Sequence, residues 1–345
     1  MKRIILLTLI VLLVSAIIFG GCAAEPAEKE VTEIEILSVE SGLAGYFMSF
    51  GLADIINKYS TTLHATALET IGGVNIKMMR DAPPEKQKRM VIWSTPTTNY
   101  LAKNADPSAV GEGEAPYLDC RALAHLYYTG LNFVTLDPNI KTPYDFVGKK
   151  IALFTPGSVD ETTLWILDYG YELPIERKEY LEMGAGKGKD ALLGGTVDVA
   201  LTGNLVAGIE EWHDWLPAPA TEEILTTRVT YRVNFGEEEI AKARAKGYPV
   251  YPIKGKGKEY GKSPAQDWIG WSLGLCWYVH KDMPDETVNE LLTIMWDNIR
   301  DFDAYHATGK FMNHQLLSLA PCSRDEFHPA AIKFFEEKGN KVGMD

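Results

Sequence analysis

Short apolar runs alternate with stretches of helical spacing along most of this chain. Ile34, Ile36, Leu37 and Val39 predict a first strand. After a break over residues 42–46, Met48, Leu52, Ile55, Ile56 and Tyr59 fall on one face of a helix. The plan then repeats. Residues 64–70 predict a strand, Gly72-Gly73 a turn and residues 75–80 a helix. Val91-Ile92-Trp93 predicts another strand, and residues 94–98 form a hydroxyl-rich turn with Pro96 near a helix start. Residues 122–128 and 131–136 are consecutive strand candidates. Residues 149–154 predict a short strand ended by Pro156-Gly157. Ser158, Asp160 and Thr162 follow as N-cap candidates, with Leu164, Leu167 and Tyr171 as the apolar stripe of the next helix.

Residues 191–193 end a helix at Gly194-Gly195, and residues 197–202 predict a strand. Gly203-Asn204 is expected to open the helix after it. Residues 210–262 give little periodicity beyond a short helix near 237–245. Residues 272–279 predict a strand. From Val288, the residues Leu291, Leu292, Met295, Trp296, Ile299 and Phe302 mark the clearest helix of the chain. Residues 324–339 predict a last one.

This alternation predicts an α/β fold with largely parallel sheets, in which ligands gather at the carboxyl ends of strands. The turns near Gly42, Gly72, Thr95 and Gly157 lie at such ends, as does Thr202-Gly203-Asn204. Backbone N–H groups after a Gly turn, at the positive end of a helix, suit a carboxylate or other anion. The candidate ligand-binding set is Gly42, Tyr46, Thr70, Gly72, Asn75, Trp93, Thr95, Gly157, Ser158, Thr162, Thr202, Asn204 and Trp271. Each polar member is equally a cap or turn residue. Trp93, Trp268 and Trp271 are either cavity walls or core. Arg80 and Arg121 are candidates to reach an anionic ligand.

Length and charge narrow the class. The 345 residues suffice for two medium lobes. A net charge of −13 without a basic stripe excludes non-specific nucleic-acid binding. Lys2-Arg3, an apolar run over 4–19 and Gly20-Gly21-Cys22 predict a secretory leader, residues 1–21. Gly-Gly-Cys resembles a bacterial lipobox, with Phe19 where Leu is usual. It implies lipid on Cys22, a tether over 22–33 and a folded part outside the cytoplasmic membrane. An uncleaved membrane anchor is the alternative and leads to the same location. Cys120, Cys276 and Cys322 contain no CxxC pair, so they form at most one disulfide or stay three buried thiols. The histidines show no H-E-x-x-H spacing, and neither a metal nor a cofactor is expected.

Two stretches carry enzyme-like patterns. Gly270-Trp271-Ser272-Leu273-Gly274 fits G-x-S-x-G, and Asp301 with His306 or His328 follows in hydrolase order. The context is wrong: residues 263–267 are polar with a proline, and residues 275–279 predict strand where a helix must follow. Residues 183–188 match neither nucleotide-loop pattern and are expected to be a flexible connection.

Several segments resemble the TAXI-type solute-binding receptors of TRAP transporters. They are residues 42–46, Thr70-Ile71-Gly72-Gly73-Val74-Asn75, Asp145-Phe146-Val147-Gly148-Lys149-Lys150, Pro156-Gly157-Ser158 and residues 193–200. The most specific is residues 327–339, where His328-Pro329-Ala330-Ala331 stands for that family's His-Pro-Gly-Ala. Val159-Asp160 departs from the usual Gly-Thr, and Asn75 falls one residue early. The resemblance implies two α/β lobes around a cleft that closes on a small ligand. It implies delivery to a separate membrane permease driven by an ion gradient. It implies an amino acid such as glutamate, or a small organic acid, as ligand. Lobe one is expected over 34–130 plus 275–345 and lobe two over 137–270. An ABC-type receptor of similar build is the alternative, distinguished by an ATPase partner.

Overall fold

The computed structural model describes residues 31–39, 41, 43–154, 158–209 and 211–344. The leader, Cys22, Gly42 and Gly157 lie outside the described residues. Among these residues twelve strands form one sheet. They are β1 (Thr32–Leu37), β2 (Leu63–Leu68), β3 (Met90–Ser94), β4 (Cys120–Thr135), β5 (Ile151–Leu153), β6 (Leu181–Glu182), β7 (Val199–Val206), β8 (Trp212–His213), β9 (Trp215–Pro217), β10 (Tyr231–Val233), β11 (Tyr251–Gly255) and β12 (Trp268–His280). The helices used below are α1 (Ala44–Tyr59), α2 (Asn75–Asp81), α3 (Pro96–Lys103), α4 (Ser158–Trp165), α5 (Gly184–Leu193), α6 (Pro219–Thr227), α7 (Glu237–Ala245), α8 (Asp285–Asp297) and α9 (Pro329–Glu337). The expected tether therefore stops short of residue 33, because β1 begins at Thr32.

The strand order is β2-β1-β3-β12-β4-β7-β5-β6, an α/β fold. The sheet is mixed rather than largely parallel. Its wings are parallel, β2-β1-β3 on one side and β7-β5-β6 on the other. Between them β4 and β12 run antiparallel to each other over most of their length. β12 joins one wing through residues 276–279 against β3, and β4 joins the other through residues 128–135 against β7. The two long strands are thus common to both wings.

β4 is one strand where the sequence predicts two. Gly130 lies inside it and marks close packing rather than a turn: a Cβ there would come 2.8 Å from Trp268 Cη2. Residues 203–204 are likewise interior to β7 and do not open a helix. β4 pairs with both along one edge; on the other, Asn204 pairs with β9 and the Gly203 carbonyl accepts the Ala218 N–H at 3.0 Å, so there is no turn to make. Residues 184–188 are the first turns of α5, not a flexible connection.

The long helices keep the predicted register. Met48, Leu52, Ile55 and Ile56 of α1 are buried, while Tyr59 reaches the surface and donates to Asp301 at 2.9 Å. Val288, Leu291, Leu292 and Met295 of α8 are buried, and Ile299 and Phe302 continue the stripe in a following 3-10 turn. α9 is shorter than expected. His328 caps it, its Nδ1 accepting the Ala330 N–H at 3.2 Å, and residues 324–326 form a separate turn. Cys120 and Cys276 are buried free thiols, and Cys322 is buried as well.

Candidate functional site: a cavity between the two wings

A cavity of about 430 Å³ lies where the wings meet. Its floor is the shared part of the sheet, with Tyr127, Thr129 and Leu131 of β4, Leu201 and Gly203 of β7, and Leu273 and Leu275 of β12. Strand alternation places these residues on one face. Val39, Leu43, Gly45, Trp93 and His306 close one side, and Phe154 and Val159 stand on the other. Most of the lining is apolar, and it contains no Asp, Glu, Lys or Arg among the described residues.

Four helix starts open onto this space: Ala44 of α1, Val159 of α4, Gly184 and Ala185 of α5, and Pro219 to Thr221 of α6. No side chain caps α1, α5 or α6, whose N-caps are Leu43, Met183 and Ala218. The N–H groups of Ala44 and Gly45, of Gly184 and Ala185, and of Ala220 and Thr221 remain available at the positive ends of helix dipoles, whereas the Tyr46 N–H donates to the Leu43 carbonyl at 3.1 Å and Pro219 has none. Polar side chains are few. The side-chain hydroxyls of Tyr127 and Thr129 have no hydrogen-bond partner among the described residues; burial raises the Tyr127 phenol above its usual range. His306 Nδ1 accepts the Thr308 N–H at 3.2 Å, so the neutral ring carries its proton on Nε2. Burial holds its pKa below the ordinary value.

The structure divides the candidate set. Trp93 lines the cavity. Thr202 and Asn204 border it, but alternation turns their side chains to the opposite face. There the Thr202 hydroxyl donates to the Asn132 carbonyl at 2.8 Å, and the Asn204 amide to the Gly130 carbonyl at 3.3 Å. Tyr46, Thr70, Asn75, Thr95, Thr162 and Trp271 do not line it. Asn75 is fully buried and spans the ends of β1 and β3, donating to the Ser38 carbonyl at 2.6 Å and to the Trp93 carbonyl at 2.9 Å. The Thr70 hydroxyl lies 2.7 Å from Ser38 O and from Asn75 Oδ1. Thr95 caps α3, accepting the Thr98 N–H at 3.0 Å.

Thr162 donates to the Val159 carbonyl at 2.8 Å and accepts from Trp271 Nε1 at 3.3 Å. Trp271 and Trp268 are fully buried core residues. Tyr46 packs on Phe50 with ring centroids 4.3 Å apart, and Gly72 begins a single 3-10 turn. Ser158 is described as the first residue of α4. Arg80 donates to the Val110 carbonyl at 2.5 Å, and Arg121 to the Leu118 carbonyl at 2.6 Å, so neither reaches the cavity.

The reading from sequence missed the α5 and α6 starts, Tyr127, Thr129 and His306. Pro219 at the first position of α6 was the available signal. Ser272 lies in mid-strand, fully buried, and its Oγ has no hydrogen-bond partner among the described residues. Neither a nucleophile elbow nor an activating base is in place there. No metal-ligating cluster occurs among the described residues.

Fold and cavity together define an α/β chain with a concave, mostly apolar cavity of small-molecule size. The chain belongs to the NMT1-like family, which it matches over residues 43–339. Among solved structures it is similar to a TctC solute binding protein from Polaromonas, at 14% identity and TM-score 0.49, covering 88% of this chain and 96% of that one. It is similar to MatC from Rhodopseudomonas palustris with bound malate, at 11% identity and TM-score 0.48, covering 89% and 96%. A further R. palustris protein, with adipate, stands at 12% identity and TM-score 0.48, covering 88% and 95%.

Proposed function

We propose that this protein is an extracytoplasmic receptor that captures a small organic acid and hands it to a membrane permease, in the manner of TAXI-type receptors of TRAP transporters. One observation carries the reading: four helix N-termini meet at an apolar cavity whose described lining holds no charged side chain. Backbone N–H groups are then the donors for a carboxylate, and the apolar floor takes a short carbon body. An amino acid's ammonium group would find no carboxylate in that lining, which favours an organic acid over an amino acid. The division into lobes at 34–130 plus 275–345 and at 137–270 is supported by the two strands common to both wings. Closure of these lobes would bury the ligand. Lipid attachment at Cys22 rests on the leader pattern.

Thermal unfolding of the purified protein with malate, adipate, glutamate and adipamide, alongside native mass spectrometry, tests the reading. A melting rise that scales with malate or adipate concentration, absent with adipamide, is expected. A shift with adipamide equal to that with adipate would overturn the carboxylate assignment. No adduct and no shift with any acid would overturn the receptor reading.

A further inference from the structure

The face of the sheet away from the cavity holds a buried positive charge with no counter-charge. Arg232 of β10 is 5% exposed and forms no ion pair among the described residues. Its guanidinium donates to Asn132 Oδ1 at 2.8 Å and Asn204 Oδ1 at 3.3 Å. It also lies 4.6 and 5.3 Å from the ring centroids of Trp215 and Trp268. Two amide oxygens and two ring faces compensate a unit charge only in part.

Lys258 brings a second cation. Its Nζ is 4.5 Å from the Trp215 ring centroid and donates to the Trp215 carbonyl. Asp214 acts on it only from beyond ion-pair distance. Arg232 and Lys258 border one small internal space together with Thr230, Ser263 and Gln266. No carboxylate side chain lines it among the described residues. Glu222, nearby, already accepts the Tyr260 hydroxyl at 2.7 Å. The space offers about 10 Å³ to the centre of a water-sized particle, which is room for one. Asn132 Nδ2 and Trp268 Nε1, behind Arg232, are buried without an acceptor, but neither residue lines the space. The guanidinium, with five N–H groups, meets only two acceptors. Two cations, with guanidinium N–H groups to spare and no carboxylate beside them, select for an anion in this one-particle space, and the walls limit it to a monatomic one.

We propose that this space binds a single halide, chloride under ordinary conditions, between Arg232 and Lys258. The ion supplies the missing counter-charge and ties β9, β10 and the segment after β11 together beneath the shared strands.

The test combines crystals soaked in bromide with thermal unfolding in sodium chloride and in sodium gluconate at equal ionic strength. An anomalous peak between the two cations is expected. So is a higher unfolding midpoint in chloride, by about 3 °C. The chloride-dependent part should disappear in Lys258→Met, which retains the apolar stem on Trp215. Absence of a bromide peak within ion-pair reach of both cations would overturn the site. So would a chloride-dependent rise that persists undiminished in Lys258→Met.

Discussion

The Trp93 indole lies directly against Gly45 in the first turn of α1. A Cβ at residue 45 would come 2.5 Å from Trp93 Cζ2 and 2.7 Å from Cε2. Trp93 is 6% exposed and forms cavity wall, so the glycine sets how far the indole stands back from the ligand space. Gly45→Ala is expected to drive the ring into the cavity and weaken an acid probe such as adipate about tenfold. The stability cost is about 1–3 kcal/mol from overpacking, partly offset by the better helix former. Calorimetric titration and urea unfolding separate the two effects. Unchanged affinity would show that Trp93 does not limit the ligand.

His306 gives anion binding a pH dependence of known sign. Burial keeps its pKa low in the free protein, and a bound carboxylate would raise it. Affinity for an anion therefore rises as pH falls through the bound-state pKa and levels off below the free-state one. Titrations of adipate between about pH 5 and pH 8 should show this slope, and His306→Asn should flatten it. The same slope in the variant would assign the titration to another group of the protein.

Asn75 is a structural tie, so its loss should cost stability rather than specificity. Asn75→Ala leaves the Ser38 and Trp93 carbonyls without a donor they now share. A loss of about 2–4 kcal/mol in urea unfolding is expected. Probe affinity, corrected for folded fraction, should stay near wild type.

Asp160 is buried, and only one of its oxygens is satisfied. Oδ1 accepts the Phe154 N–H at 3.0 Å, while Oδ2 has no partner among the described residues. Burial pushes its pKa up to about 7, and the charges of Glu182 and Glu161 add to this. A folded-state pKa above the unfolded one means the contribution is favourable in acid and is lost as pH rises from about 4 toward 7. Asp160→Asn should therefore stabilise the protein at about pH 8 by the order of 2 kcal/mol, with the gain vanishing near pH 4. A gain of equal size at both pH values would rule out charge burial as the cause.

Histidine 125 titrates in the opposite sense. It is fully buried, and burial holds its pKa down at about 3. The unfolded chain takes up a proton near pH 6.5 that the folded one refuses. Stability should therefore fall as pH drops from about 6.5 toward 3, unless His125→Gln removes that part of the acid limb. An unchanged acid limb in the variant would assign the loss to carboxylates.

Periodicity alone located α1, α7, α8 and most strands, because an apolar stripe reports the buried face directly. Pro96 also read correctly as lying near a helix start, whereas Thr95, a ligand candidate, proved to be that helix's cap. The site was legible only in outline. Thr70, Asn75 and Thr162 carry the same donors and acceptors whether they brace the backbone or face a ligand, and all three brace it. Gly203-Asn204 has turn composition, yet β4 and β9 flank it and make it strand.

Local composition by itself determined the α/β class, the helix registers and the chemistry of the turns. Tertiary structure decided which helix starts share a cavity, because β4 and β12 bring residues from both wings to one floor. It also decided which side chains face that floor, since the alternation of β7 sends Leu201 and Gly203 inward and Thr202 and Asn204 away. Facing depends on strand partners far apart in the chain, and no local window contains them.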